Sequence, residues 1–326
     1  MQEFRDYDET FPDLVYDIVD YFRNVKRDKQ IKDRSVFDYC LNSRFNSSLQ
    51  QGDFIQPDVV HRICETLVQK RVMSCIRTGI GSDGKDANYL YCPPDHGYFN
   101  KKDPAFLFLL NSMTYGFRYI YSSYRDYVLP VVVKKNDNVT VGTCFRFREG
   151  IVTAKHCLEA DQVSIPQYTA ERLNQCPVIV SSDSTIDMAY IHLGESVPLI
   201  AGEAKVLDEV LVMGYPKIPM FLDFCTVERA MVSSIPTKGA VASLADQYIS
   251  PKVGPLMLIT ARIRGGNSGG PVIGKDGSVL GVAFFEPKSE GDYDEMGYGG
   301  AYPIRVLNQL FQEQVPLKVN FVDKVS

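Results

Sequence analysis

The sequence predicts an α+β protein in which a helical first part precedes an all-β second part. Apolar residues recur at helical spacing before about residue 128, and short apolar runs bounded by Gly, Pro, Asn and Asp follow that point. The chain has 326 residues, which corresponds to about two domains of ordinary size. Hydrophobic residues make up 45% and charged residues 23% of it, so disordered and low-complexity classes are excluded.

The charge and the start of the chain narrow the class further. A formal net charge of -5 and a pI near 5.5 provide no global attraction to nucleic acid or to an anionic membrane. The first 20 residues are rich in Asp and Glu, which is the opposite of the basic start of a signal peptide. Uninterrupted apolar runs are too short to span a bilayer. We therefore expect a cytoplasmic protein whose eight cysteines are reduced.

A small helical domain is predicted over residues 1–103. Apolar periodicity indicates three helices, and two strands separated by a Gly-rich turn come after them. Three helices followed by a hairpin resemble a winged helix, so we expect a helical, winged-helix-like regulatory domain. The helices are expected near 14–22, 36–45 and 57–71, and the strands near 71–78 and 88–92.

Winged helices often bind DNA, and the charge of this region tests that function. Residues 1–128 contain 17 Lys or Arg and 18 Asp or Glu. A duplex-binding face normally carries a clear basic excess, because phosphate contacts provide most of the non-specific affinity. A protein-contact or regulatory role is therefore favoured, and nucleic-acid binding remains the less favoured alternative.

A region dense in Phe and Tyr, residues 104–128, predicts a single connector helix. Its apolar residues point to every side, so the helix must be buried all round, between two domains or in a subunit interface. Core packing is favoured over a ligand or lipid site. The aromatic residues are Phe106, Phe108, Phe117, Tyr119, Tyr121, Tyr124 and Tyr127.

Short strands separated by turn residues dominate the chain from residue 129 onward. Their spacing predicts an all-β barrel or sandwich, followed by a last helix near 306–311. The clearest apolar runs are 131–133, 178–180, 188–191, 210–212, 256–260, 272–273 and 279–285.

Three sequence motifs in this region belong together. They lie at 142–157, 187–191 and 265–271, and the last reads Gly-Gly-Asn-Ser-Gly-Gly-Pro. With these segments the chain resembles the chymotrypsin-like serine proteases, most closely the HtrA branch, over about residues 129–312. The resemblance implies an all-β, two-barrel protease domain, which we assign to residues 129–326. Further segments follow the HtrA pattern in the same order, at 212–216, 226–233 and 299–303.

The resemblance assigns catalytic roles to Ser268, His156 and Asp187. A serine hydroxyl is a weak nucleophile at neutral pH and needs a base to accept its proton. Imidazole can accept that proton and return it to the leaving amine, while a carboxylate fixes the imidazole tautomer. The loop of Gly266, Asn267 and Ser268 is expected to form the oxyanion hole, with the N–H groups of Gly266 and Ser268 as its donors.

Two positions predict opposite substrate preferences. Arg262, six residues before Ser268, stands where the resemblance places the base of the side-chain pocket, and it would favour an acidic substrate residue. Glu286 ends the strand Phe284-Phe285-Glu286 that is expected to pair with the substrate backbone, and it would favour a basic one. The sequence therefore leaves the preference open.

The chain departs from the secreted relatives in two places. Asn267 stands where zymogen-activated relatives have an Asp that pairs with a newly cut N-terminus, so that route of activation is not expected. Cys157 follows the histidine, but Val141 occupies the position of its disulfide partner. We expect free thiols at Cys157 and at nearby Cys144.

Together these features predict an intracellular serine endopeptidase that cleaves protein substrates through an acyl-enzyme. Its N-terminal domain, or a protein partner bound there, is expected to control it. No cofactor or membrane is expected, and Cys75, Cys92 and His96 lack the usual zinc spacing. The alternatives are a DNA-binding regulator with a protease domain and a catalytically silent binding module. A role in prokaryotic stress or antiviral defence is an analogy only.

Overall fold

A computed structural model provides the architecture of the chain. Contacts divide it into two compact units, Met1–Tyr119 and Ile120–Ser326. This division falls inside the predicted connector, and the domain boundaries at 103 and 128 stay predictions. The structure describes residues 7–23, 35–77, 88–91, 103–216, 234–245, 255–285 and 298–325.

Short helices and one hairpin form the first unit. Ser35 begins the third helix with a capping box, in which its hydroxyl accepts from the Asp38 N–H and the Asp38 carboxylate accepts from the Ser35 N–H. The fourth helix begins at a proline, which suits a first helical turn. The helices are α1 (Tyr7–Thr10), α2 (Leu14–Arg23), α3 (Val36–Asn42) and α4 (Pro57–Gln69), and a 3-10 turn covers Arg44–Ser48.

The hairpin consists of antiparallel strands β1 (Met73–Arg77) and β2 (Asn88–Tyr91). The predicted order of three main helices and a hairpin is therefore observed, although its identity as a winged helix stays a prediction. Helix α4 ends at Gln69 rather than at the predicted Arg71, because Arg71 adopts a positive φ of 60° that a helix cannot contain.

The core of the first unit joins the apolar faces of these helices. Burial of each such side chain contributes about 1.5–3 kcal/mol. The fully buried residues include Leu14, Ile18, Phe22, Val36, Cys40, Val60, Ile63 and Leu67. These positions are those at which the helical periodicity of the sequence recurs, or their immediate neighbours.

The predicted single connector helix over 104–128 is wrong. The structure has two helices, α5 (Pro104–Tyr115) and α6 (Phe117–Tyr124), separated by Gly116. Gly116 has a φ of +72° and a ψ of -154°, a conformation open to glycine but not to other residues, and it ends α5. The Asp103 carboxylate caps the start of α5 by accepting from the Ala105 N–H at 3.0 Å. The role of residues 104–128 as a connector or an interface stays a prediction.

The second unit begins with a seven-stranded antiparallel sheet. Its strand order is β15-β7-β8-β5-β4-β3-β6. The C-terminal segment contacts both edges of this sheet, since Val315 pairs with Val180 of β7 and Phe321 forms a bridge with Val163 of β6. The strands are β3 (Val128–Lys135), β4 (Asn138–Phe147), β5 (Gly150–Thr153), β6 (Gln162–Ser164), β7 (Val178–Val180), β8 (Ala189–His192) and β15 (Val315–Pro316).

A closed six-stranded barrel forms the rest of the unit, in the order β10-β11-β14-β13-β12-β9. The prediction of an all-β, chymotrypsin-like fold is therefore confirmed, with a half-barrel formed by the seven-stranded sheet and a closed six-stranded barrel. The strands are β9 (Glu209–Gly214), β10 (Ile235–Ala245), β11 (Leu256–Ile259), β12 (Pro271–Gly274), β13 (Val279–Phe285) and β14 (Gly299–Pro303); the helices of this unit after α6 are α7 (Ala170–Asn174) and α8 (Leu307–Glu313).

Candidate active site

The pairing of β5 with β8 brings two predicted catalytic residues together. Thr153, at the end of β5, lies opposite Ala189, at the start of β8. His156 follows β5 in the 3-10 turn Lys155–Cys157, and Asp187 immediately precedes β8. Because the strands are antiparallel, the end of one and the start of the other meet at the same edge of the sheet.

Both oxygens of the Asp187 carboxylate contact His156. Oδ2 lies 2.5 Å from the imidazole Nδ1, and Oδ1 accepts the backbone N–H of His156 at 2.8 Å. Two bonds fix the carboxylate relative to the ring, and an acceptor at Nδ1 favours the tautomer with its proton there. The other ring nitrogen, Nε2, is then the acceptor that a general base needs.

The environment of His156 also shifts its pKa. Burial alone would lower the pKa of the imidazole, but the hydrogen bond to Asp187, with smaller contributions from Cys157, outweighs it and raises the pKa to about 10. The carboxylate therefore stabilises the imidazolium, the form that appears after proton abstraction.

Tyr302, on β14, supports Asp187 from behind. Its buried hydroxyl accepts the backbone N–H of Asp187 at 3.2 Å and donates to the carbonyl of Thr185 at 2.6 Å. Its ring stacks on that of Phe284, with centroids 4.0 Å apart. Sequence reasoning matched the segment 299–303 but gave Tyr302 no role.

Ser268 lies in the turn that precedes β12. Its backbone carbonyl accepts the N–H of Thr143 at 2.9 Å and lies 3.8 Å from Sγ of Cys157, the neighbour of His156. Its hydroxyl donates to the carbonyl of Phe284 at 2.9 Å rather than to His156. In this arrangement the serine hydroxyl is next to the histidine segment but is turned toward β13.

The loop before Ser268 requires glycine. Gly266 has a φ of +104°, and a Cβ there would lie 2.1 Å from the carbonyl oxygen of Tyr215. The Asn267 N–H donates to the carbonyl of Arg264 at 2.9 Å, so a tight turn uses this donor internally. Of the three predicted oxyanion residues, Gly266 and Ser268 retain backbone N–H groups without an acceptor among the residues described.

Thr143, on β4, makes four hydrogen bonds, and two of them hold this loop. Its hydroxyl donates to the Gly266 carbonyl at 2.6 Å and accepts the Tyr215 N–H at 3.0 Å. Its N–H donates to the Ser268 carbonyl at 2.9 Å, and its carbonyl accepts from the Thr153 hydroxyl at 2.7 Å. Thr143 is fully buried. The motif that contains it was noted in the sequence, but its supporting role was missed.

The predicted specificity residues separate in the structure. Arg262 is exposed and lines a cavity of about 470 Å³ that also contacts Asn267. Phe284 is buried, and its carbonyl faces Ser268. Phe285 lies on β13 opposite Gly300 of β14. Glu286 lies outside the described residues, as does the matched segment 226–233.

The two departures from secreted relatives are visible at the site. Asn267 is 2% exposed, and its Oδ1 has no hydrogen-bond partner in the described structure. Cys144 and Cys157 are both free thiols. Burial raises the pKa of the Cys144 thiol well above its usual value, which keeps it protonated.

No group of three or more His, Cys, Asp or Glu able to hold a metal ion occurs within the described residues. Cys92 and His96 lie outside them. Where the chain is described, its helices lack the length and apolar character needed to cross a bilayer.

Two solved structures are similar to this chain at low sequence identity. The active form of the Rv3671c protease from M. tuberculosis is 20% identical, with a TM-score of 0.45, and the match covers 61% of this chain and 86% of that one. The HtrA-type protease AlgW with a tripeptide is 21% identical, with a TM-score of 0.43, and the match covers 59% of this chain and 61% of that one.

Curated relatives include two proteases. Protease Do-like 2, chloroplastic, from Arabidopsis thaliana is 30% identical over 181 residues, which are 53% of this chain and 28% of the relative. The magnetosome formation protease MamE of Paramagnetospirillum magneticum is 27% identical over 161 residues, 45% of this chain and 20% of the relative. The chain thus spans less than a third of the length of these curated relatives.

The family comparison agrees with the topology. Residues 142–282 match the family described as trypsin-like peptidase domain. This range begins at Gly142 on β4 and ends within β13, so it includes His156, Asp187 and Ser268. Residues 142–282, the part of the chain that carries the three predicted catalytic residues, are therefore similar to a trypsin-like peptidase domain.

Proposed function

We propose that this chain is a serine endopeptidase whose triad is Ser268, His156 and Asp187. The observation that carries the proposal is the double contact between Asp187 and His156, through Nδ1 at 2.5 Å and the backbone N–H at 2.8 Å. A carboxylate held this way orients an imidazole for proton transfer at Nε2. The trypsin-like domain assignment supports a protease, and these contacts support the serine mechanism.

The reaction requires one rotation before chemistry. The Ser268 hydroxyl must leave the Phe284 carbonyl and turn toward Nε2 of His156. It then attacks the peptide carbonyl while its proton moves to Nε2, and the N–H groups of Gly266 and Ser268 stabilise the oxyanion. Collapse breaks the C–N bond as the imidazolium protonates the leaving amine. Water, deprotonated by the same imidazole, releases the acyl group as a carboxylic acid.

The substrate would be a polypeptide bound as an added strand along the end of β13. Substrate N–H groups need carbonyl acceptors, and the Phe284 carbonyl, which here accepts from the Ser268 hydroxyl, lies on the strand expected to pair with the substrate. The rotation that turns the serine hydroxyl toward His156 would also remove that hydroxyl from the Phe284 carbonyl.

Control by the N-terminal region is part of the proposal. Asn267 cannot form the ion pair that a carboxylate would make with a new N-terminus, so activity has to be restrained by other means. A cytoplasmic location is supported by free thiols at Cys144 and Cys157 beside the site. The regulator would be a protein bound to the N-terminal domain. Removing residues 1–128 should change the rate or the substrate range, and identical values would contradict this control.

A catalytically silent module is the second candidate. It is favoured by one observation, the Ser268 hydroxyl bonded to Phe284 rather than to His156. A fluorophosphonate probe separates the candidates, because it labels only a serine that its base activates. We expect labelling of the native chain, none in Ser268→Ala, and about 10³-fold slower labelling in His156→Ala. Absence of labelling in the native chain from pH 7 to pH 10 would favour the silent module.

A further inference from the structure

The segment between β7 and β8, residues 181–188, is described throughout, carries Asp187 and contains neither a helix nor a strand. Few backbone hydrogen bonds form inside such a segment, so neighbouring elements have to fix its position. Its end is bonded to Tyr302 of the barrel. Its start is bonded to α8, and both elements belong to the second unit.

Glu313, the last residue of α8, accepts three hydrogen bonds. Oε2 accepts the Ser181 hydroxyl and the Ser182 backbone N–H, each at 2.7 Å. Oε1 accepts the side-chain amide of Gln309, one turn earlier in the same helix, at 2.8 Å. Hydrogen bonds from Gln309, Ser181 and Ser182 lower the pKa of this carboxyl, so it is ionised at neutral pH. Because bonds to an ionised acceptor are stronger than neutral ones, Glu313 attaches the start of the segment to the helix.

The Ser181 hydroxyl connects Glu313 to the middle of the segment. Ser181 is buried, with 4% of its surface exposed, and its single hydroxyl proton goes to Glu313. The hydroxyl oxygen therefore faces its donors, the Asp183 N–H at 3.1 Å and the Gln309 side chain at 3.3 Å. Without the carboxylate the hydroxyl would lose its acceptor and become free to turn, so the bond to Asp183 depends on Glu313.

A turn closed by Asp183 connects this region to Asp187. Oδ1 of Asp183 accepts the backbone N–H of Thr185 at 2.9 Å and its hydroxyl at 2.7 Å, which forms an Asx turn. The Thr185 carbonyl accepts the Tyr302 hydroxyl at 2.6 Å, and that hydroxyl accepts the Asp187 N–H at 3.2 Å. Hydrogen bonds therefore join Glu313 to Asp187 from one residue to the next.

We propose that Glu313 is a positioning residue, whose carboxylate fixes the segment that presents Asp187 to His156. This role rests on the proposed serine mechanism, because it concerns the geometry of that triad. Asp187 meets His156 through contacts of 2.5 Å and 2.8 Å, so a displacement of about 1 Å breaks both. Glu313 acts through Ser181, six residues before Asp187, and not by contact with the reacting atoms.

Replacing Glu313 by alanine removes the acceptor of Ser181 and Ser182. At pH values above the acidic limb of the pH profile, kcat should fall about 10- to 100-fold, because a small displacement of a catalytic group has an effect of that size. KM should stay within about threefold, since the bonds that are lost do not involve β13, the strand proposed to bind the substrate. Glu313→Gln keeps one acceptor oxygen, so its loss of kcat should be smaller.

The pH profile separates positioning from a loss of stability. Burial alone would lower the pKa of His156, but the hydrogen bond to Asp187 outweighs it and raises the pKa to about 10. A longer contact would lower that pKa, and the imidazole has to be neutral to act as a base. The acidic limb of kcat/KM should therefore move down by about 1 to 2 pH units in Glu313→Ala. An enzyme that is only less stable would lose active molecules and keep the position of the limb.

Two further variants complete the kinetic test. Gln312→Ala changes the neighbouring residue of α8, whose exposed side chain has no hydrogen bond to the described residues, and it should match the native chain. Ser181→Ala removes the same link from the other side. Because Glu313 acts through Ser181, the double variant should be about as slow as Glu313→Ala alone. Losses that multiply, an unmoved limb in Glu313→Ala, or the same changes in Gln312→Ala would overturn the proposal.

Proton magnetic resonance keeps the positioning role distinguishable from the protease activity. In Ser268→Ala at low temperature, the low-field signal of the proton between His156 Nδ1 and Asp187 reports their contact without catalysis. We expect this signal to be lost or shifted upfield when Glu313→Ala is added and to be kept when Gln312→Ala is added. That result would support the positioning role even if fluorophosphonate labelling of the native chain failed. A signal that is absent from Ser268→Ala, or that Glu313→Ala leaves unchanged while labelling is normal, would remove the positioning role.

Discussion

Replacing Thr143 by valine tests how the oxyanion loop is held in place. Valine keeps the branched shape but removes the hydroxyl that donates to the Gly266 carbonyl at 2.6 Å and accepts the Tyr215 N–H at 3.0 Å. Each buried backbone group left without a partner costs about 1–3 kcal/mol, and two groups lose their partner here. The free energy of unfolding should therefore fall by about 2–6 kcal/mol. The Gly266 peptide also loses the bond that fixes its orientation.

The effect on activity is bounded by the oxyanion hole. Loss of one donor typically costs about 10²- to 10³-fold in turnover, and here the Gly266 N–H is only misdirected, so we expect a fall in kcat of about 10- to 100-fold. KM should change little, because the hydrogen bonds that are lost lie behind the loop. Steady-state kinetics give kcat and KM, the rate of fluorophosphonate labelling gives the reactivity of Ser268, and urea unfolding gives the free energy of unfolding.

Thr143→Ser is the matched control. It keeps the hydroxyl and loses a methyl group, so it should cost about 1 kcal/mol of stability and leave kcat within about threefold of the native value. If valine lowers stability but leaves kcat unchanged, the positioning role is refuted and the residue is structural only. A serine variant as slow as the valine variant would refute the importance of the hydroxyl itself.

Two further substitutions test the site. Asp187→Asn should lower turnover about 10³- to 10⁴-fold. It should also move the acidic limb of the pH profile of kcat/KM from near the raised His156 pKa of about 10 toward about 6.5, because the imidazole has to be neutral to act as a base. An unmoved limb would show that another group controls the pH profile. Gly266→Ala should abolish activity, since the added Cβ would lie 2.1 Å from the Tyr215 carbonyl oxygen at a φ of +104°. Gly265→Ala is the control, because the space around its Cβ is open, and this variant should fold and be labelled normally. Equal losses of activity in both variants would contradict the steric argument.

Parts of the fold could be predicted from the sequence because local patterns determine them. The strands Val178–Val180 and Val279–Phe285 occur where the apolar runs indicated them, since turn residues bound both runs. The prediction of a single connector helix failed because the sequence does not show whether a glycine inside an apolar stretch has a negative or a positive φ. Gly116 could have continued the helix at a small cost, but it adopts a positive φ that a helix cannot contain and divides it.

The candidate site could likewise be predicted only in part. His156, Asp187 and Ser268 are carried by local motifs, so their identity could be proposed from sequence. The contacts that position them could not, because they join distant parts of the chain. Thr143 and Gly266 are 123 positions apart, and Tyr302 and Thr185 are 117 apart. No local pattern predicts such a pair, since each depends on how the sheet and the barrel meet.

These two contacts cross the same boundary in opposite directions. Thr143 belongs to the seven-stranded sheet and holds the barrel loop of Ser268, whereas Tyr302 belongs to the barrel and holds Asp187 at the sheet edge. The backbone of the nucleophile loop is also fixed by the Gly269 N–H, which donates to the Ala283 carbonyl at 2.6 Å.

Because the backbones on both sides are bonded in this way, the proposed triad requires one further step. It is a rotation about χ1 of Ser268, which exchanges the Phe284 carbonyl for the imidazole of His156. Staggered side-chain wells interconvert far faster than sheets rearrange. Under the proposed mechanism, a substrate strand that donates an N–H to the Phe284 carbonyl would compete with the serine hydroxyl for that acceptor and so favour its rotation toward His156.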